Sequence, residues 1–140
     1  MHYLLWFHCY IVSLLKNMQY LRLNNINCYK RSLFLSKYVW DIVISWEWFA
    51  KQTVGSQFVR SVDSISANIA EGFGRYGKKD KIRFYHYSFG SVKESFDWNE
   101  KSKSRNLFSS EQYKHILNEL QNLPKEINQL IQFTNQRLKE

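Results

Sequence analysis

Acidic residues are scarce in this chain: 12 Asp and Glu stand against 20 Lys and Arg, for a formal net charge of +8. A chain of that sign suits an anionic partner, most simply a nucleic acid, which it engages through charge and counterion release. Cysteine is nearly absent. Cys9 and Cys28 are far apart and neither sits in a C-x-x-C. That excludes the usual zinc spacings and a disulfide framework, and makes a reducing cytoplasm the expected compartment. No H-E-x-x-H occurs, and His86 and His115 have no Cys or Ser at a catalytic spacing. There is no internal repeat, low-complexity segment or long linker. The one markedly apolar run, Tyr3 to Leu15, is too short to span a bilayer comfortably. It lacks the positive flank and cleavage site of a signal peptide. Residues 1–17 are therefore read as an over-extended start or a disordered tail ahead of Met18, and no membrane partner is expected.

What is present suits one helical domain, residues 18–140. Aromatics make up 17% of the chain. That is more bulk than one small monomer easily buries, and it points to oligomerisation. The positive charge is uneven. Arg60 to Arg105 holds ten Lys/Arg and six Asp/Glu, whereas Asn106 to Glu140 holds four of each. The last helix is thus a packing element and the basic face lies before it.

Periodicity predicts four helices. The first runs over 31–50, with Lys37, Asp41 and Ser45 as a polar stripe on an otherwise apolar girdle, so it is expected to be buried on more than one side. A strand over Ile42 to Ile44 is the alternative. The second runs over 56–73, with Ser56 as candidate N-cap. Its apolar row is Phe58, Val62, Ile65, Ile69 and Phe73, and Gly72 and Gly74 are its stop signals. The third spans about 79–104, with Ile82, Tyr85, Phe89, Val92 and Phe96 on one row and Phe84, Tyr87, Ser91 and Trp98 on another. The fourth begins near Ser110 and carries a heptad-like seam through Leu130. Pro124 lies within it, which predicts a kink or break near Leu123. Short connections favour an antiparallel up-down bundle.

Gly72 through Lys79 matches G-x-G-x-x-G and nearly matches a P-loop. Both motifs need a preceding strand, whereas a helix precedes this turn, so nucleotide binding is not the reading. Glycines that admit positive φ end the second helix and reverse the chain. Arg75, Lys78, Lys79, Lys81 and Arg83 surround the turn, with Tyr76, Tyr85 and His86 interleaved. Cations mixed with aromatics suit an RNA surface, by phosphate contact and base stacking. Asn68 and Glu71 share a helix face, and Glu94 lies opposite in an antiparallel pair. A buried network fixing helix register is expected of them, rather than acid–base catalysis. Gly90 and Ser91 are read as small residues at a close helix approach.

The segment S-I-S-A-N-I-A-E-G, followed by Arg75, a basic helix start, Phe84 and G-S-V-K-E, resembles the four-helix-bundle family of 23S rRNA intervening sequences. The resemblance covers about Leu33 to Leu138, with Arg60-Ser61 where the family usually has two arginines. It implies an antiparallel four-helix bundle, a ring-shaped homopentamer and no enzymatic activity. It also implies kinship with accessory proteins of retroelement reverse transcriptases, which makes a reverse transcriptase a possible partner. The expectation is an all-α, non-enzymatic homo-oligomer needing no metal or cofactor. It would bind RNA or DNA through Arg60, Arg75, Lys78, Lys79, Lys81 and Arg83, with Asn68, Glu71, Gly72, Gly90, Ser91 and Glu94 as its structural network. The alternative is a protein-interaction scaffold with no nucleic acid ligand.

Overall fold

The apolar rows become four long helices: α1 (Asn27–Val43), α2 (Ser56–Gly74), α3 (Lys78–Ser104) and α4 (Ser110–Arg137). The structure, a computed structural model, describes residues 22–138, and no strand occurs among them. The expectations for residues 1–17, Cys9 included, lie outside those residues. α1 packs on α2 and α4, and α3 packs on the same two helices, so the four close into a ring of neighbours. Successive helices are antiparallel. Ser36 meets Asp63, and a Cβ on Gly55 would touch Val43. Ser95 meets Ser61, while Ser88 meets Ile65. The fourth side closes through Arg31, which binds Glu119 at 2.6 Å and Glu126 at 3.0 Å. Farther along that interface Tyr38 packs on His115, with ring centroids 4.4 Å apart.

The core follows the predicted spacing. Phe58, Val62, Ile65 and Ile69 of α2 are fully buried against Tyr85 and Val92 of α3 and Ile116, Leu120, Leu123 and Ile127 of α4. Between α2 and α3 the contact is made by small polar residues. Ser88 Oγ donates to the Ile65 carbonyl at 2.9 Å, and Ser95 Oγ bonds Ser61 Oγ at 3.1 Å. Gly72 continues this seam: a Cβ there would stand 2.7 Å from Tyr85 Cε1 and 2.9 Å from the Lys81 carbonyl oxygen.

Five local expectations need correction. The first helix does not reach Ala50. It ends at Val43, and Glu47 then caps a new run by accepting from the amides of Phe49 and Ala50. That run continues as Trp48–Ala50, a π-helical turn Lys51–Gly55 and α2 without interruption. Ser56 is therefore no N-cap; its hydroxyl donates back to Gln52 and Thr53 carbonyls inside the rod. Pro124 breaks nothing, because α4 passes through it. The proline removes the amide that would serve the Leu120 carbonyl, yet Leu120, Leu123 and Ile127 remain fully buried. Seam burial outweighs the local cost of about 3 kcal/mol. Finally, no glycine has positive φ. The strand alternative at Ile42–Ile44 is likewise not adopted, since those residues end α1 and enter a turn.

Each helix stop has its own cause. α3 ends in a Schellman motif, with Asn106 at φ 52° and its amide bonded to the Lys103 carbonyl, while the Leu107 amide reaches the Ser102 carbonyl. α4 begins in a capping box, where Ser109 and Gln112 exchange side-chain and backbone bonds.

The two glycines of the α2–α3 pair should respond in opposite ways. Gly72→Ala should cost about 1–3 kcal/mol through overpacking against Tyr85 and fixed backbone. At Gly90 an added Cβ meets nothing, so Gly90→Ala should stabilise α3 by about 0.5–1 kcal/mol. Urea unfolding of the two variants measures both.

Candidate nucleic-acid interface

The turn from Arg75 to Gly77 joins α2 to α3, and the residues around it divide by where their charge goes. Arg75 takes an extended conformation that ends α2, and its amide serves the Gly72 carbonyl at 3.2 Å. The next free carbonyl, that of Phe73, accepts from Lys81 Nζ at 2.6 Å. Lys81 also lies over the Phe73 ring, 5.6 Å from its centroid. Partial burial draws its ammonium below the ordinary lysine value. Lys81 thus works as a C-cap for α2, turned inward from the surface assigned to it by sequence.

Lys78 and Lys79 occupy the first turn of α3 and form no ion pair among the described residues. Arg75 pairs with Glu71 at 2.5 Å, and Arg83 pairs with Asp80 at 2.9 Å. Both guanidinium groups also lie over the Phe84 ring, at 4.6 Å for Arg75 and 5.8 Å for Arg83. Tyr87 meets Phe84 edge to face, with centroids 5.4 Å apart. Tyr76, in the turn, is fully exposed. A groove of about 470 Å³ runs beside these groups, lined by Lys78, Lys79, Arg83, His86 and Tyr87 of α3 and Asn135 of α4.

Four of the six basic residues picked from the sequence, Arg75, Lys78, Lys79 and Arg83, therefore gather at one end of the bundle. Arg60 is exposed but lies on α2 some 15 residues before Arg75, about 22 Å along the axis. Tyr85 is buried, and burial pushes its hydroxyl up to about 12, so it is no stacking surface. Phe84 and Tyr87 were assigned to packing by sequence, yet they shape this end. Their i, i+3 spacing beside two arginines was the available signal.

The expected structural network is smaller than its six residues. Asn68 Nδ2 donates to the Ser64 carbonyl at 2.9 Å and to Ser91 Oγ at 3.4 Å. Gly72 sits at the close approach described above. Glu71 and Glu94 lie on the surface, Glu71 paired with Arg75 and Glu94 accepting from Trp98 Nε1 at 3.5 Å. Charge accounts for this: a carboxylate with a cation or indole one turn away is better solvated outside than buried. Gly90 faces open space, so of that pair only Ser91 lies at the close approach.

Chemistry elsewhere is thin. Burial pushes the Cys28 thiol up to about 12, which keeps it protonated and unreactive. No group of His, Cys, Asp and Glu among the described residues could hold a metal, and no helix there is long and apolar enough to cross a membrane. A larger groove of about 700 Å³ lies at the other end, between the π-helical turn and the end of α3, where Lys101 pairs with Asp97.

The family model described as 23S rRNA-intervening sequence protein matches residues 24–129. A crystal structure of a protein with unknown function from the S23 ribosomal protein family of Bacteroides thetaiotaomicron is similar in fold. Its TM-score is 0.66 at 22% identity, over 74% of this chain and 97% of that one. No curated protein matches.

Because Lys81 caps a helix, Lys81→Met should lower stability by about 1 kcal/mol, the worth of one exchanged hydrogen bond. Lys79→Met, at an exposed site, should stay within about 0.5 kcal/mol of the parent. Chemical denaturation distinguishes the two lysines.

Proposed function

The chain belongs to the 23S rRNA-intervening sequence protein family, and from that premise we propose that it is a non-enzymatic, homo-oligomeric bundle that binds RNA at its α2–α3 end. The observation that carries this reading is the pair Lys78 and Lys79, unpaired among the described residues and set beside exposed Tyr76 and Tyr87. Cations without carboxylate partners are free to take phosphates, and each contact releases counterions. Arg75 and Arg83, already paired, add less charge than their number suggests.

Salt dependence tests it. Binding of RNA should weaken linearly in log–log form with salt. Lys78→Glu combined with Lys79→Glu should reduce the slope by about 0.7–0.9 for each phosphate that is no longer neutralised. Absence of binding at low salt, or binding indifferent to the double reversal, overturns the reading. In that case the scaffold reading stands, and partners captured from extract should survive nuclease.

Assembly is supported by a different surface. Leu33, Phe34 and Trp40 on α1 and Ile44 just past its end are large apolar side chains left exposed, as are Trp48 and Phe49 beyond the turn, with Phe34 at 75% and Trp48 at 72% exposure. The sequence led us to expect this helix buried on two sides; within one chain it is buried on one. A second copy seated on this face would bury the other, in the ring arrangement that the family resemblance implies. Phe34→Glu with Trp40→Glu should lower the mass measured by light scattering while the helical circular dichroism persists. A parent chain that is already monomeric at micromolar concentration would refute the assembly.

A further inference from the structure

The cations at the α2–α3 end are of two physical kinds, and the difference selects among nucleic acids. We propose that Arg75, Arg83 and Tyr87 around Phe84, together with Tyr76 exposed in the adjoining turn, form a base-stacking platform, so that this end takes single-stranded RNA with unstacked bases in preference to a duplex. The inference rests on the RNA-binding reading and specifies its ligand.

A guanidinium donates in its plane and stacks through its faces. Arg75 donates to Glu71 through one nitrogen, and Arg83 forms an ion pair with Asp80, so each guanidinium already has one carboxylate partner. Each also lies over the Phe84 ring. The side chains remain 43% and 56% exposed, so solvent reaches part of each group. What these arginines still offer is a flat, weakly hydrated surface held in place by an aromatic ring. Tyr87 braces Phe84 from its edge and is itself half exposed, while Tyr76 projects freely from the turn. Planar groups stack on bases only when the bases are splayed from a helix, as they are in single strands and loops. In a duplex the bases already stack on one another, and A-form RNA offers a protein mainly phosphates and 2′-hydroxyls. Lys78 and Lys79, point charges with no partner among the described residues, supply the phosphate contacts that either form of RNA would accept. The platform adds what only the single strand can use.

The experiment compares three probes by fluorescence anisotropy at one salt concentration: an unstructured RNA strand, the same strand annealed to its complement, and inorganic polyphosphate as a competitor without bases. The single strand should bind more tightly than the duplex. Tyr76→Ala and Arg75→Lys should each weaken single-strand binding, roughly tenfold where a base is left without its stacking partner, while leaving competition by polyphosphate unchanged. Arg75→Lys keeps the charge and removes the plane, and Tyr76 is fully exposed, so neither result depends on a failure to fold. Equal affinity for strand and duplex, or parallel loss of polyphosphate competition, overturns the platform but leaves RNA binding intact. Failure of the parent protein to bind any of the three overturns both readings.

Discussion

The close approach of α2 and α3 governs the rest of the molecule. Two helices can lie this near only where their facing residues are small. Ser61, Ser88, Ser91, Ser95 and Gly72 provide that: Ser95 bonds Ser61, Ser88 donates to the Ile65 carbonyl, and Ser91 accepts from the Asn68 amide across the seam. Such bonds are worth about 1 kcal/mol each, but leaving the groups unpaired would cost more, so they fix register as well as distance. Register then determines the turn. With Gly72 lacking a side chain, Tyr85 and the Lys81 backbone come within contact distance of α2. That brings the Lys81 ammonium under the Phe73 carbonyl. A helix end that would ordinarily use a left-handed glycine is closed by a lysine from the next helix.

This closure sorts the basic cluster. Five cations lie close together in sequence, yet one is used up by a helix end and two are answered by carboxylates a turn away. Net charge alone would have counted all five toward phosphate. The difference matters for affinity because counterion release scales with the phosphates neutralised, not with the cations present. The remaining pair is modest for a nucleic-acid site, and aromatic surface beside it is the natural supplement.

The sequence disclosed the elements whose signal is redundant. Apolar rows at spacings of three and four in α2 and α4 have no competing pattern, and the structure buries most of their members, whereas α3 carries two rows and buries Tyr85 and Val92 of the first and Ser91 of the second. Signals that rest on one residue fared worse. The end of α1 was hidden because the polar stripe Lys37, Asp41 and Ser45 runs on past Val43 at helical spacing and the residues around it, to Ala50, are mostly apolar, so periodicity gave no sign of a stop. Glu47, whose carboxylate starts the next run, is the mark that was missed. Pro124 misled in the opposite sense, since a local breaker was outweighed by a buried seam on both sides of it. Glu71 and Glu94 were placed inside because Glu71 stands three residues from Asn68 and Glu94 opposes it across the antiparallel pair, but both carboxylates turn to the rim of the α2–α3 contact, where Arg75 and Trp98 meet them. At the candidate site, the lysines were legible as a cluster. Their separation into free, capping and paired cations depends on Phe84, Glu71 and Asp80, whose roles arise only when the helices are packed.

The two surfaces left over bear on one another. α1 lies diagonally across the ring of helices from α3, so copies joined through Phe34, Trp40 and Trp48 would leave the Lys78–Lys79 end uncovered. On the proposed reading, a single end with two free lysines would bind an RNA strand weakly at physiological salt. Several such ends held in one assembly turn later contacts into intramolecular ones, and avidity then exceeds the affinity of any one end without a new contact. On this view the exposed apolar face on α1 and the sparse charge at the α2–α3 turn are parts of one arrangement. The proposed self-association would let each site stay weak, and a weak, stacking-assisted site would release and re-engage along a strand. A monomer with the same turn would need more unpaired cations than this sequence places there.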